Sequence, residues 1–194
     1  MGEPGNELDD ATESEDKTVA LMIAILALFL ALSETGAKKA EHLSTEKNIE
    51  ASDLYNFYQA KKARSTVIEA AAQAMEAISP ALTDETAKAS AEKQVTAWKK
   101  VIANFDNDPK KPEDSLEKIQ ERANEAKEVQ ELSNKRLEHF EFASGALQIA
   151  IVLASAAIIT GVAMLAWIAG ALGVFGAVLM GFGYLAPTVL AFLG

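Results

Sequence analysis

No charged side chain occurs in residues 142–194. At about 1.5 Å of rise per residue, a run of that length makes a helix of roughly 80 Å. The hydrocarbon core of a bilayer is only about 30 Å thick. The run is therefore expected to cross a membrane twice, which excludes a compact soluble domain. The mean hydropathy of +0.07 averages this segment with a highly charged remainder and describes neither.

Two crossings need a turn. Residues 160–170 are the best place, because Gly161 weakens a helix and Trp167 suits the lipid–water interface. Trp167 and Tyr184 are then roughly 25 Å apart along a helix, near opposite faces of a bilayer. This places spans at 142–162 and 167–185, with Pro187 ending the second and a short tail at 186–194.

Residues 18–32 (TVALMIAILALFLAL) form a further uncharged run, extended by Ser33 to a first span at 18–33. A signal peptide would need a basic region before the apolar stretch, and here that region is acidic. A buried soluble helix would show a polar face, and this run has none. Residues 1–17 hold Glu3, Glu7, Asp9, Asp10, Glu13, Glu15 and Asp16 against Lys17, so a disordered acidic tail is expected. A myristoylation motif wants Ser or Thr where Asn6 stands.

Residues 34–141 read as a helical stalk rich in Ala, Glu, Lys and Gln. Pro80 ends one helix, and Thr83, followed by Asp84 and Glu85, is expected to cap the next. The stretch 105–112, with Asp106, Asn107, Asp108, Pro109 and Pro112, breaks the chain again. Asp114 with Glu117 then resembles a capping box. The expected stalk helices are about 45–79, 83–104 and 114–141, the last running unbroken into the membrane. Apolar residues at threes and fours (Leu54, Tyr58, Ile68, Met75; Leu116, Ile119, Ala123, Ala126) supply the seams of a bundle or coiled coil. The expected fold is thus an all-α integral membrane protein. It has three transmembrane helices and a long coiled-coil-like stalk between the first and second.

Candidate sites are sparse. Ala169, Gly173, Ala177 and Gly181 repeat every four residues, the small-residue pattern that lets membrane helices approach closely. Gln148, with Ser144, Ser155 and Thr160 nearby, is expected to join helices by hydrogen bonding. Residues 181–186 match a dinucleotide fingerprint literally, but no strand precedes them, and the match is discarded. No Asp, Glu, Lys, Arg or His lies within a proposed span, which disfavours a self-contained proton relay. His42 and His139 are read as solvated, without metal-ligand spacing. Zero Cys excludes disulfides and thiolate chemistry. The net charge of -10, without clustered Lys/Arg, argues against nucleic acid as a partner. No catalytic set, cofactor site or metal site is expected.

The segment Ala51-Ser52-Asp53-Leu54-Tyr55-Asn56-Phe57-Tyr58-Gln59-Ala60-Lys61 follows a short first span and precedes a two-span apolar end. On these residues, above all Ala51, Ser52, Asp53, Tyr58, Gln59 and Lys61, the chain resembles a bacterial family of uncharacterised inner-membrane proteins, the domain-of-unknown-function family four-three-three-seven. The resemblance implies a multi-pass protein of the bacterial inner membrane and implies no activity. Within that segment Tyr55 and Tyr58 offer an aromatic surface, and Asp53 and Lys61 are placed to pair with neighbours in the stalk. Lys38, Lys39, Lys127, Lys135 and Arg136 flank the membrane on the stalk side, which points to a cytoplasmic stalk.

The expected function is a non-enzymatic, membrane-anchored interaction or scaffold protein. Its partners would be the bilayer, further copies of itself, and a protein bound at the stalk. The alternative is a channel or transport-energising subunit, whose stator-like layout also puts a helical domain between one span and two.

Overall fold

A computed structural model describes the backbone of residues 4–107 and 109–188, with side chains from Lys17 onward. The described residues are helical and contain no strand. Four helices follow in order: α1 (Pro4–Ile78), α2 (Glu85–Asp106), α3 (Leu116–Thr160) and α4 (Ala163–Leu185). Short 3-10 turns at Ser79–Ala81 and Pro112–Asp114 lie in the two connections in which prolines were expected to break the chain, the first directly after α1 and the second just before α3. Stretches of α1, α3 and α4 are each long and apolar enough to cross a membrane.

Several boundaries differ from expectation. α1 is one helix through the first apolar run and onward, with no separate start near residue 45. Its backbone is helical from Pro4, across most of the segment expected to be a disordered tail; residues 1–3 lie outside the described residues. A formed helix propagates without a new nucleation cost, and acids in a first turn complement the positive end of the helix dipole. The second helix is capped by Asp84 and not Thr83, the Asp84 carboxylate accepting from the Thr86 amide at 2.9 Å. α3 begins at Leu116, not Asp114. Asp114 closes a 3-10 turn, and the Ser115 hydroxyl accepts from the Lys118 amide at 3.3 Å instead. The turn between the last two spans is tighter than predicted: Gly161 adopts φ 67 and α4 starts at Ala163, four residues before Trp167. A left-handed residue reverses the chain in the fewest steps, and only glycine enters that region without penalty.

The chain divides into two compact units, Met1–Thr45 with Gln130–Gly194, and Glu46–Val129. In the first, apolar unit, α1 buries Leu26, Ser33 and Ala40, each seven residues from the next, and α3 buries Ser133, Phe140, Leu147 and Ala154 in the same way. Seven residues are close to two helical turns, so each row lines one side of its helix. Leu26, Leu147 and Ala150 form the core, with Met22, Phe29, Ile151 and Leu172 packed against it. The helices run antiparallel: the Ser33 hydroxyl donates to the Phe140 carbonyl at 3.0 Å, and the Ser44 hydroxyl to Asn134 Oδ1 at 2.6 Å.

In the second, stalk unit, α1 buries Ala51, Ser65 and Ala72, α2 buries Ala91 and Val95, and α3 buries Leu116, Ile119, Ala123 and Ala126. Tyr55 donates to Asn124 Oδ1 at 2.6 Å. Lys61, nearly buried, donates from Nζ to the Asp114 carbonyl and lies 5.8 Å from the centre of the Phe105 ring. One ammonium group thus satisfies the turn before α3 while its charge rests on an aromatic face.

Candidate functional site

The tightest part of the apolar unit lies where charge gives way to hydrocarbon. Phe140, the residue two before the uncharged run, is 2 % exposed. Its ring fits a slot with a glycine on either side. A Cβ built on Gly36 of α1 would lie 2.8 Å from the ring, and one built on Gly183 of α4 would lie 3.0 Å from it. Carbon atoms prefer about 3.5–4.0 Å, so a side chain at Gly36 would force the ring to shift and one at Gly183 would crowd it. Tyr184 meets Phe140 edge-on, with ring centres 4.8 Å apart at 68°.

Hydrogen bonds reinforce the same level. Tyr184 donates to the Leu32 carbonyl at 3.3 Å, and Ser33 to that of Phe140. His139 is completely buried, its Nε2 3.1 Å from the Pro187 carbonyl, which corrects its reading as a solvated side chain. Glu138 and Glu141, one and two residues away on α3, are both exposed. All three apolar helices are joined here by polar contacts outside their hydrophobic centres, where such bonds can form without stranding a donor in lipid.

The small-residue stripe of α4 divides between two neighbours. Ala169 and Gly173 are buried, and Gly173 closes on Leu26 of α1. The contact then shifts to Gly176, where a Cβ would meet Leu147 at 2.8 Å and the Ala143 carbonyl at 3.1 Å, both on α3. Ala177 is half-buried, and the position facing Gly181 is open. A strict four-residue repeat drifts around a helix of 3.6 residues per turn, so one line cannot serve both neighbours. Gln148 is exposed and lies outside the packed core. The hydroxyls of Ser155 and Thr160 bond back to the carbonyls of Ile151 and Ala156 in their own helix, at 2.8 and 2.7 Å. Self-satisfaction of this kind competes with bonding between helices.

In the family-like segment Ala51 and Lys61 are buried, Tyr55 and Tyr58 half-buried, and Ser52, Asp53 and Gln59 exposed. Lys61 pairs with a backbone carbonyl and a ring rather than a carboxylate. Phe140 was expected in the apolar seam of its helix, but Gly36 and Gly183 escaped the sequence reading as its neighbours. The available signal was Gly36, a lone glycine in an Ala- and Lys-rich helix, three residues after Ser33 and four before Ala40.

No group of three or more His, Cys, Asp or Glu fit to hold a metal occurs among the described residues. A family model described as "Domain of unknown function (DUF4337)" matches residues 15–186. No curated protein and no solved structure matches the chain.

Proposed function

The chain belongs to the DUF4337 family, and, since membership assigns no activity, we propose from its geometry that it is a non-enzymatic scaffold of the bacterial inner membrane, assembling with further copies of itself through its stalk. One observation carries this reading. Ile49, Phe57, Val67 and Ile78 are 56 %, 44 %, 69 % and 57 % exposed on the α1 part of the stalk unit. None of them belongs to the small-residue rows through which α1 packs internally. All four fall within about 80° of one another around the axis of α1, and large apolar groups gathered on one face of a charged segment favour cover by another protein. In the stalk unit α1 turns the small residues Ala51, Ser65 and Ala72 inward, which supports a second copy packing on the outer face that carries the large apolar groups. The reading as a transport-energising subunit gains less support, since Leu26, Leu147 and Ala150 fill the apolar unit with carbon and offer an ion no ligand.

The chain contains no cysteine, so single cysteines report contacts without background. Val67→Cys is expected to yield an oxidised dimer in native membranes, and Val67→Glu to shift the detergent-solubilised protein towards monomer in light scattering. A wild type that is strictly monomeric at all concentrations would refute assembly. The cytoplasmic stalk follows from the basic residues beside the spans. With three spans it places the chain's carboxyl end in the cytoplasm, so a fluorescent fusion after Gly194 should glow and an alkaline phosphatase fusion should be silent.

A further inference from the structure

Beside the Phe140 slot is a cavity of about 230 Å³, walled by all three helices of the apolar unit. Its charged lining residues are both cations, Lys39 of α1 and Arg136 of α3. The acids at the same level, Glu34, Glu41, Glu138 and Glu141, are exposed, and none lines it. Arg136 Nε is sealed from solvent and has no hydrogen-bond partner. A buried donor left unsatisfied is costly, and the guanidinium charge of Arg136 beside the cavity, with that of Lys39, attracts an anion. The rest of the wall is largely apolar: Leu43, Phe140 and the Tyr184 ring.

Depth identifies the class of anion. Lys39 lies six residues beyond Ser33, and Arg136 six residues before Phe142, so each sits roughly 9 Å along its helix from the end of an uncharged run. The headgroup layer adds about 5–8 Å to each side of the hydrocarbon core, so the two backbones stand just outside it and the long Lys and Arg side chains reach back to the lipid phosphates. The geometry points to a binding site for an anionic phospholipid. Its phosphodiester lies between Lys39 and Arg136, and its glycerol and upper acyl carbons lie against Phe140, Leu43 and Tyr184. A free phosphate would leave the apolar wall uncovered, whereas a lipid covers both halves. Basic clefts between membrane helices bind acidic headgroups by this chemistry.

The site rests on the reading of α1, α3 and α4 as spans, which alkaline extraction of membranes tests separately: release of the protein would overturn the spans themselves. For the site, the full chain in detergent is titrated with dioleoylphosphatidylglycerol, dioleoylphosphatidylcholine or sodium phosphate and followed by native mass spectrometry. Phosphatidylglycerol should be retained preferentially. Lys39→Gln and Arg136→Gln should each weaken it about tenfold, and Lys93→Gln in α2 should leave it unchanged. Lys39 is exposed, so its variant remains informative where Arg136→Gln fails to fold. Equal retention of both lipids, unchanged binding by a folded Lys39→Gln, or displacement of lipid by millimolar phosphate would overturn the proposal.

Discussion

Gly36→Ala tests whether the Phe140 slot holds the apolar helices together. The new Cβ would lie 2.8 Å from two ring carbons and 3.0 Å from a third, short of a comfortable contact by about 0.7 Å or more. Gly183 of α4 already crowds the same ring carbons, with only 3.0 Å to a built Cβ, which limits how far the ring can shift. Overpacking of this kind costs about 1–3 kcal/mol. Alanine also gains about 1 kcal/mol of helix propensity over glycine, which would mask part of the loss. Gly145→Ala calibrates that gain, since nothing lies within 4 Å of a Cβ built there. The stability difference between the two variants should therefore be about 1–3 kcal/mol, with Gly36→Ala the weaker. It is read from unfolding by dodecyl sulfate in mixed micelles, followed by far-ultraviolet circular dichroism. Adding Phe140→Leu should relieve the clash, giving a favourable coupling of about 0.5–3 kcal/mol in a double-mutant cycle. Equal stabilisation by Gly36→Ala and Gly145→Ala, or a coupling of zero, would refute the slot.

Three further outcomes follow from single contacts. Gly161→Ala forces a side chain into φ 67 and should cost about 1–2 kcal/mol, whereas Gly181→Ala, which has open space, should be neutral or stabilising in the same unfolding assay. Lys61→Met removes the bond to the Asp114 carbonyl and the contact with Phe105; it should destabilise the protein by about 1–3 kcal/mol and accelerate amide exchange at the start of α3. The Asp84 carboxyl is held below its usual range by hydrogen bonds from the Thr86 hydroxyl and amide. A depressed folded pKa means that its contribution to the α2 start is present above the ordinary carboxylate range and is lost as pH falls through the folded value. Asp84→Asn, which caps without titrating, should flatten the acid side of the melting-temperature profile, and an unchanged profile would count against the cap.

That three helices are apolar enough to cross a membrane was legible in residues 18–33 and 142–185, because a charge in hydrocarbon is too costly to be placed there by accident. The stalk breaks were legible for a similar reason, since Pro80, Pro109 and Pro112 constrain their own backbone whatever surrounds them. Caps were less so. Thr83 and Asp84 are both competent, and their choice depends on how the preceding 3-10 turn releases the chain. The helix-packing residues were only half visible, because a four-residue repeat identifies a face and not its neighbour. Gly173 was anticipated, Gly176 and Gly183 serve a second partner, and Gln148 faces outward.

By itself, then, the amino-acid sequence determined which segments are apolar enough to cross a membrane and where the backbone must turn, since both are properties of local composition. The tertiary structure alone decided that Phe140 enters a slot between Gly36 and Gly183, that His139 is buried, and that Lys39 and Arg136 share one cavity. Those residues lie up to about 150 positions apart in the chain. Their juxtaposition follows from the antiparallel register of long helices, in which a shift of one residue moves every side chain about 100° around the axis.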